Sequence, residues 1–433
     1  MSVETGFWGI GVLFALLLLR VPVALSLIAV SFGGIVSLLG VKPALGILSS
    51  TPYDFVASWT MSAVPMFLLM GFVAFHAQLT SGLFDAAKAV LRRVPGALAI
   101  SSVLACSGFA AVCGSSLATA ASMGRIAIPE MVKAGYAPSL AAGAIAAGGT
   151  IGALIPPSIL MILYGVFAET SITQVFLGGV TVGLLTALGY AVVVLILTAL
   201  RPDLIPRRPI EDEPLPAREA LRRVWPVLLL VLIVFGGLFS GFFTATEAGA
   251  VGAAGAILCA GLVGQLKLSL MKTALLETLM TTASLLIIGI GASMFTRFLG
   301  ITGLSAFISA QVGAADIGYY HLMVIIVVVY LLLGMVMEPF GAMLVTLPVF
   351  IPLLNAEGIS LVWFGVLVVK LLEIGMITPP VGLNVFVIRN VASEYVTTVQ
   401  IFKGVTPFFL SDLVVTAIMI VFPALVLALP QAF

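Results

Sequence analysis

The stretch GGTIGALIPPS, residues 148–158, interrupts a strongly apolar part of the chain with three glycines, a threonine and two consecutive prolines. Apolar runs flank it at 141–147 and 159–166. Glycine and proline both weaken a helix, and tandem proline removes backbone donors that a lipid-buried helix needs. The sequence therefore predicts one helix over 138–168 that is broken near the middle of a membrane.

The composition predicts an all-α polytopic membrane protein. Of the 433 residues, 61% are hydrophobic and only 9% are charged, whereas an ordinary soluble domain has about 25% charged residues. Apolar runs of about 20 residues recur along the chain, and each could cross a hydrocarbon layer of about 30 Å. The lipid bilayer is thus the first partner that the sequence predicts.

The charged and metal-binding residue types exclude several classes of function. A net charge of +1 provides no basic face for nucleic acid. The two histidines, His76 and His321, show no metal-binding spacing, and no HExxH motif occurs. We therefore expect neither an enzyme nor an organic cofactor. The three cysteines are expected to fill the core as free thiols; they are Cys106, Cys113 and Cys259.

The two halves of the chain are related. A set of prolines and glycines recurs at a constant displacement of 223 residues: Pro129, Gly135, Gly152, Pro156 and Pro157 recur as Pro352, Gly358, Gly375, Pro379 and Pro380. The polar segment 201–223 separates the first repeat, 1–200, from the second, 224–433. The second copy of the interruption, EIGMITPPVGLN at 373–384, lies within 360–390. We expect a second broken helix there.

Each half also contains a candidate hairpin. The segments 96–135 and 319–358 both consist of an apolar arm, a polar or glycine-containing tip and a second apolar arm. The tips read CGSSLAT at 113–119 and MEPFGAM at 337–343. Both segments are interpreted as re-entrant hairpins, and two full spans joined by a loop are the alternative.

The basic residues predict an orientation. If Met1 lies outside, nearly all lysines and arginines fall on the cytoplasmic side, together with the connector 201–223. Both termini are then periplasmic, and the two halves start on opposite sides. The N-terminus MSVETGFWGI has no basic segment, so the first apolar run is expected to remain as a span. The halves are thus predicted to be inverted repeats, each with about five transmembrane helices and one hairpin.

A broken helix provides both kinds of ion site. The carbonyl groups freed at Gly149 and Thr150, with the threonine hydroxyl, can coordinate a hard cation. The N-terminus of the following half-helix favours an anion. Neighbouring cation and anion sites indicate transport of an organic anion coupled to Na⁺, and a proline kink that only shapes packing is the alternative. The candidate substrate contacts at the two interruptions are Pro157, Ser158, Pro380 and Asn384.

The hairpins and the second broken helix supply further polar candidates. Ser115 and Ser116 at the first tip are candidate ligands, although serines in helices also bond to their own backbone. Arg125 could contact substrate or a neighbouring carbonyl. Lys370 and Glu373 are three residues apart and are interpreted as a structural ion pair. A proton relay through Glu373 is the alternative.

At these residues the sequence resembles the large membrane subunit of tripartite ATP-independent periplasmic (TRAP) transporters. The resemblance covers essentially the whole chain. It is most specific in four segments, namely 114–136, 146–158, 338–354 and 373–388.

The resemblance implies a bacterial inner-membrane protein in which a moving domain slides like an elevator within a fixed scaffold. It also implies Na⁺-driven import of a small organic anion. Two partners are expected: a small membrane subunit of about four helices and a periplasmic binding protein that delivers the substrate. A related organic-anion transporter that works without a binding protein is the alternative. By position, the sodium ligands would be Ser115, Ser116, Gly149 and Thr150 in the first half, and Glu338, Gly341, Thr378 and Asn384 in the second.

Overall fold

The computed structural model describes residues 2–205, 217–315 and 317–432, and every regular element in these ranges is a helix. Seven helices in these ranges are long and apolar enough to cross a membrane. The all-helical prediction is therefore confirmed for this part of the chain. The central part of the predicted connector, 206–216, lies outside the described residues.

Ten α-helices precede the connector: α1 Val3–Leu18, α2 Val23–Leu39, α3 Val41–Val56, α4 Ala63–His76, α5 Gly82–Leu91, α6 Ala97–Cys113, α7 Ser116–Lys133, α8 Pro138–Thr150, α9 Ile159–Phe167 and α10 Ile172–Leu200. Ten more are described after it: α11 Ala217–Phe239, α12 Ala245–Leu262, α13 Leu268–Thr302, α14 Leu304–Ala314, α15 Tyr319–Gly334, α16 Pro339–Ala356, α17 Leu361–Gly375, α18 Leu383–Val391, α19 Thr398–Val421 and α20 Pro423–Ala432. Two 3₁₀ turns, Trp59–Ser62 and Ile151–Ala153, complete the helical elements.

Local chemistry explains where the first hairpin and the first broken helix stop and restart. Gly114 ends α6 in the left-handed region at φ +62°, where a residue without Cβ is favoured. Ser115 then caps α7 by accepting a hydrogen bond from the Ala118 amide. Helix α8 ends at Thr150, the proline pair 156–157 supplies no backbone donors, and Ser158 caps α9.

The second half repeats these features with different residues. Glu338 is the N-cap of α16, and Pro339 occupies its first turn, where a missing amide hydrogen costs little. Helix α17 ends at Gly375, and Gly382 in the left-handed region precedes α18.

The helix starts recur at almost the same displacement as the sequence motifs. The starts of α6 and α15 differ by 319 − 97 = 222 residues, and those of α7 and α16 by 339 − 116 = 223. The starts of α8 and α17 differ by 361 − 138 = 223, and those of α9 and α18 by 383 − 159 = 224. The repeat therefore extends from single residues to whole elements. The opposite orientation of its two copies in a membrane stays a prediction.

Each hairpin packs against one half of each broken helix. In the first hairpin, α7 contacts α8 and α18; in the second, α16 contacts α17 and α9. The two broken helices therefore exchange their second halves between the hairpins, which brings both interruptions and both tips into one region. The three cysteines are buried free thiols, as the sequence predicts.

The outer surface of the long helices is apolar. Leu184 and Leu188 on α10, Leu232 on α11 and Leu279 on α13 are all more than half exposed. Apolar surface of this extent is unfavourable in water and suits the hydrocarbon interior of a bilayer. The chain thus has the surface of a multi-pass membrane protein.

Candidate functional site

A cavity of about 450 Å³ lies between the tips of the two hairpins. Its volume falls in the range of sites that hold small molecules. Residues from both tips, from both broken helices and from α4 and α13 line it. The tip and broken-helix residues are Cys113, Gly114, Ser115, Ser116, Leu117, Ala153, Ile159, Leu160, Glu338, Pro339, Phe340, Glu373 and Met376.

The first tip is held against the first interruption by a close backbone contact. A Cβ on Gly114 would lie 2.0 Å from the carbonyl oxygen of Pro157, so only glycine fits there. A Cβ on Gly152 would lie 3.0 Å from the carbonyl oxygen of Ser115. Pro157 and Ser158 are buried behind the tip, and the Ser158 hydroxyl accepts from the Met161 amide at 3.3 Å. The two predicted substrate contacts of this break are therefore next to the cavity rather than in its lining.

Ser116 joins the first hairpin to the second broken helix. Its hydroxyl donates to Oε2 of Glu373 at 2.6 Å, and both side chains are buried. The other carboxylate oxygen of Glu373, Oε1, has no hydrogen-bond partner in the described part of the chain. Glu338 provides a second carboxylate to the lining, whereas the described lining residues include no lysine, arginine or histidine.

Gly149 and Asn384 meet beside Ser116. A Cβ on Gly149 would lie 3.1 Å from Nδ2 of Asn384 and 3.1 Å from the carbonyl oxygen of Ser116. Asn384 is fully buried and donates through Nδ2 to the carbonyl of Ala146 at 3.2 Å. Its Oδ1 atom has no described hydrogen-bond partner. Three predicted ligands from opposite halves of the chain are thus brought together.

The predicted ion pair between Lys370 and Glu373 is wrong. The buried ammonium of Lys370 instead pairs with Oδ1 of Asp412 on α19 and donates to the Thr186 hydroxyl at 3.0 Å. Two residues three apart share a helical face, but the neighbouring helix provides the nearer carboxylate. Glu373 is left to bond with Ser116.

Thr150 belongs to the same polar network as Lys370. Its hydroxyl lies 2.6 Å from the carbonyl oxygen of Ala147 and 3.1 Å from the hydroxyl of Tyr190. Tyr190 in turn donates to Oδ2 of Asp412 at 2.7 Å. The predicted role of Thr150 as a sodium ligand stays a prediction.

Sequence reasoning missed Asp412, Tyr190 and Thr186. Asp412 was detectable, because it is the one carboxylate in the apolar segment 398–421 and a charge at that depth needs a partner. The tyrosine and the threonine carried no comparable signal, since both residue types are common in apolar helices.

Four other candidates lie away from the cavity. Arg125 is exposed on α7, and Pro380 is exposed beyond the second interruption. Thr378 is half-buried and donates to the carbonyl of Ile374 at 2.6 Å. A Cβ on Gly341 would lie 3.1 Å from the Val23 side chain, so this glycine allows α16 to approach α2. The structure therefore does not gather the second predicted ligand set into one place.

Comparison with known proteins gives the chain its relatives. The family described as "Tripartite ATP-independent periplasmic transporter, DctM component" matches residues 10–425. The C4-dicarboxylate TRAP transporter large permease protein DctM of Pseudomonas aeruginosa is 36% identical over 405 residues, which cover 91% of this chain and 93% of that protein. The isethionate TRAP transporter permease protein DctMQ of Oleidesulfovibrio alaskensis is 31% identical over 95% of this chain and 64% of its own length.

A solved structure has the same general fold. The YdaH transporter of Alcanivorax borkumensis superimposes with a TM-score of 0.64 over 89% of each chain, at 18% sequence identity. The sequence relatives are transport permeases rather than enzymes. With its motifs and helices in the positions described above and a family match over nearly its whole length, the chain belongs to the DctM family, the large permease subunits of TRAP transporters.

Proposed function

We propose that this chain is the membrane permease of a Na⁺-driven importer for a small organic acid. The observation that carries the proposal is the cavity between the two hairpin tips, which residues from both halves of the chain enclose. A binding site at the junction of two structural repeats is typical of secondary transporters. The large permease relative named for C4-dicarboxylates supports an organic acid as the substrate class.

Helix N-termini make the cavity suitable for an anion. The first residues of α7, Ser116 and Leu117, line it, and so do the first residues of α16, Pro339 and Phe340. A helix N-terminus carries a partial positive charge and presents unbonded amide groups. Two such termini at one cavity favour a carboxylate even though no basic side chain is among the described lining residues.

Alternating access follows from the packing of the hairpins. The hairpins and the broken helices hold one another through the exchanged contacts of α7 with α18 and of α16 with α9. We infer that these elements move as one body past the remaining helices, in an elevator-like motion between inverted repeats. Both chain termini then lie in the periplasm and the connector 201–223 in the cytoplasm of a bacterium, as the basic residues favour.

Two partner proteins complete the proposed transporter. One relative is named as a joint DctMQ permease, and this chain spans 64% of its length. This supports a small membrane subunit beside the present chain. A periplasmic binding protein that delivers the acid is the second partner, in keeping with the family description.

The proposal is tested by reconstitution. Vesicles that contain this chain, the small subunit and the binding protein should accumulate a radiolabelled four-carbon dicarboxylate when an inward Na⁺ gradient is applied. We expect no accumulation with an equal K⁺ gradient or when either partner is left out. Uptake that needs no binding protein would support the alternative of a self-sufficient organic-anion transporter. Gradient-independent equilibration would instead contradict ion coupling.

A further inference from the structure

The buried charges around the cavity do not balance. Lys370, Glu373 and Asp412 each have an exposed fraction of 1% or less, and they comprise two carboxylates and one ammonium. The ammonium pairs with Asp412. A buried carboxylate without a compensating charge is strongly unfavourable. Glu373 therefore needs a positive charge that the described residues do not supply.

Two oxygen atoms without partners mark where that charge belongs. Oε1 of Glu373 and Oδ1 of Asn384 are both buried and lack hydrogen-bond partners in the described part of the chain. They belong to α17 and α18, on either side of the second interruption. Buried polar atoms are normally satisfied, so two such acceptors on one broken helix indicate a missing ligand.

Ser116 connects the two residues. Its hydroxyl bonds to the carboxylate of Glu373 at 2.6 Å, while its carbonyl oxygen and Nδ2 of Asn384 both lie 3.1 Å from the Cβ position of Gly149. Any larger residue at 149 would fill this approach. Carboxylate, amide and backbone oxygens thus converge at the junction of the first hairpin with both broken helices.

We propose that Glu373 is the charged ligand of a Na⁺ site that Asn384 Oδ1 completes at this junction. The choice of Na⁺ rests on the proposed function; the site itself rests on the unpartnered oxygens. One unpaired carboxylate is balanced by one monovalent ion, and oxygen ligands suit a hard cation. The site differs from an arrangement of one sodium ligand set per half, because it combines residues of both halves and excludes Gly341 and Thr378.

The site also sets an order of binding. Glu338 and Glu373 give the cavity two carboxylates that would repel an organic anion. Occupation of the Glu373 site by Na⁺ removes one of these charges before the anion enters. The cation therefore binds first.

Thermal unfolding of the purified full-length chain in detergent tests the site without any organic acid or partner protein. NaCl is exchanged for KCl at constant ionic strength and fixed pH. We expect Na⁺ to raise the unfolding midpoint saturably and K⁺ to do so less. Glu373→Gln removes the charge and should raise the half-saturating Na⁺ concentration by roughly tenfold or more. Glu277→Gln is the matched control, since this carboxylate pairs with His76 at 2.8 Å outside the cavity lining.

Two further variants keep the test decisive if Glu373→Gln does not fold. Glu373→Asp keeps the charge but withdraws it by one methylene, and Asn384→Ala deletes the amide oxygen; each should also raise the half-saturating Na⁺ concentration. An unchanged Na⁺ curve in these variants overturns the site. A midpoint that depends on pH but not on Na⁺ assigns the charge to a proton and also overturns it.

The same results separate the site from the proposed function. Na⁺ binding that depends on Glu373, without Na⁺-driven uptake in three-component vesicles, leaves the site standing and contradicts the function. Na⁺-driven uptake with an unaltered Na⁺ dependence in Glu373→Gln does the reverse.

Discussion

Lys370 and Asp412 form a buried ion pair between α17 and α19, and Tyr190 and Thr186 of α10 bond to it. The pair spends no exposed surface on water, so its stability depends on complete hydrogen bonding. Thr150 extends this network to the end of α8. The network therefore ties the first parts of both broken helices to α10 and α19.

Removing one member of this pair should be much more harmful than removing both. Lys370→Met leaves the Asp412 carboxylate buried without compensation, which typically costs about 3–5 kcal/mol. The double variant Lys370→Met/Asp412→Leu removes both charges and should recover a large part of that loss. The measurement is the thermal unfolding midpoint in detergent.

Lys267→Met provides the control for the loss of a lysine, because Lys267 is exposed before α13. Its unfolding midpoint should match that of the unaltered protein. A double variant as unstable as Lys370→Met would contradict the ion-pair interpretation.

At the scale of elements, α8 and α19 approach each other with no side chain between them. A Cβ on Gly143 would lie 2.2 Å from the carbonyl carbon of Gly404, and one on Gly404 would lie 1.8 Å from the carbonyl oxygen of Ser139. Small residues at such crossings allow helices in a membrane to pack backbone against backbone. This contact fixes the position of α8, and hence of the first interruption, relative to the second half of the chain.

Gly143→Ala should force the two helices apart. Overpacking of this kind costs about 1–3 kcal/mol, and the unfolding midpoint in detergent should fall accordingly. Gly236→Ala in α11 is the matched control, since nothing lies within 4 Å of its Cβ position. The control should be neutral or slightly more stable, because alanine favours a helix over glycine by about 1 kcal/mol. Equal effects of the two substitutions would show that the crossing is not tightly packed.

At the scale of the whole molecule, the two halves form one assembly. Each hairpin uses half-helices of both repeats, so neither half contains a complete set of contacts for its own hairpin. Inverted repeats explain this exchange, because a two-fold axis in the membrane plane would relate α7, α8 and α18 to α16, α17 and α9. The orientation of the chain in the membrane therefore bears directly on the architecture.

Cysteine labelling tests that orientation. Glu4→Cys and Gln431→Cys occupy exposed positions near the two ends, and Asp203→Cys lies at the start of the connector. An impermeant thiol reagent added to intact spheroplasts should label the first two and not the third. The native cysteines are buried and give the background. Labelling of Glu4→Cys and Gln431→Cys from opposite sides would remove the inverted-repeat interpretation.

The sequence by itself determined the features that depend on local chemistry. Apolar composition requires helices in a bilayer, because unbonded backbone groups are too costly there. The glycines and prolines around 152 and 375 end helices wherever they occur, and the helix starts follow them at displacements of 222–224 residues. Motif order was sufficient for the family, which comparison confirmed over residues 10–425.

Only the tertiary structure decided which of these residues meet. Ser116 and Glu373 are 257 positions apart, and Lys370 chooses Asp412, 42 positions away, over Glu373 on its own helix. Helical spacing tells which residues share a face but not which helix covers that face. Gly341 and Asn384 were equivalent candidates by motif, yet one packs against α2 and the other reaches the first broken helix. The crossing of the helices, set by close packing far from the motifs, makes that distinction.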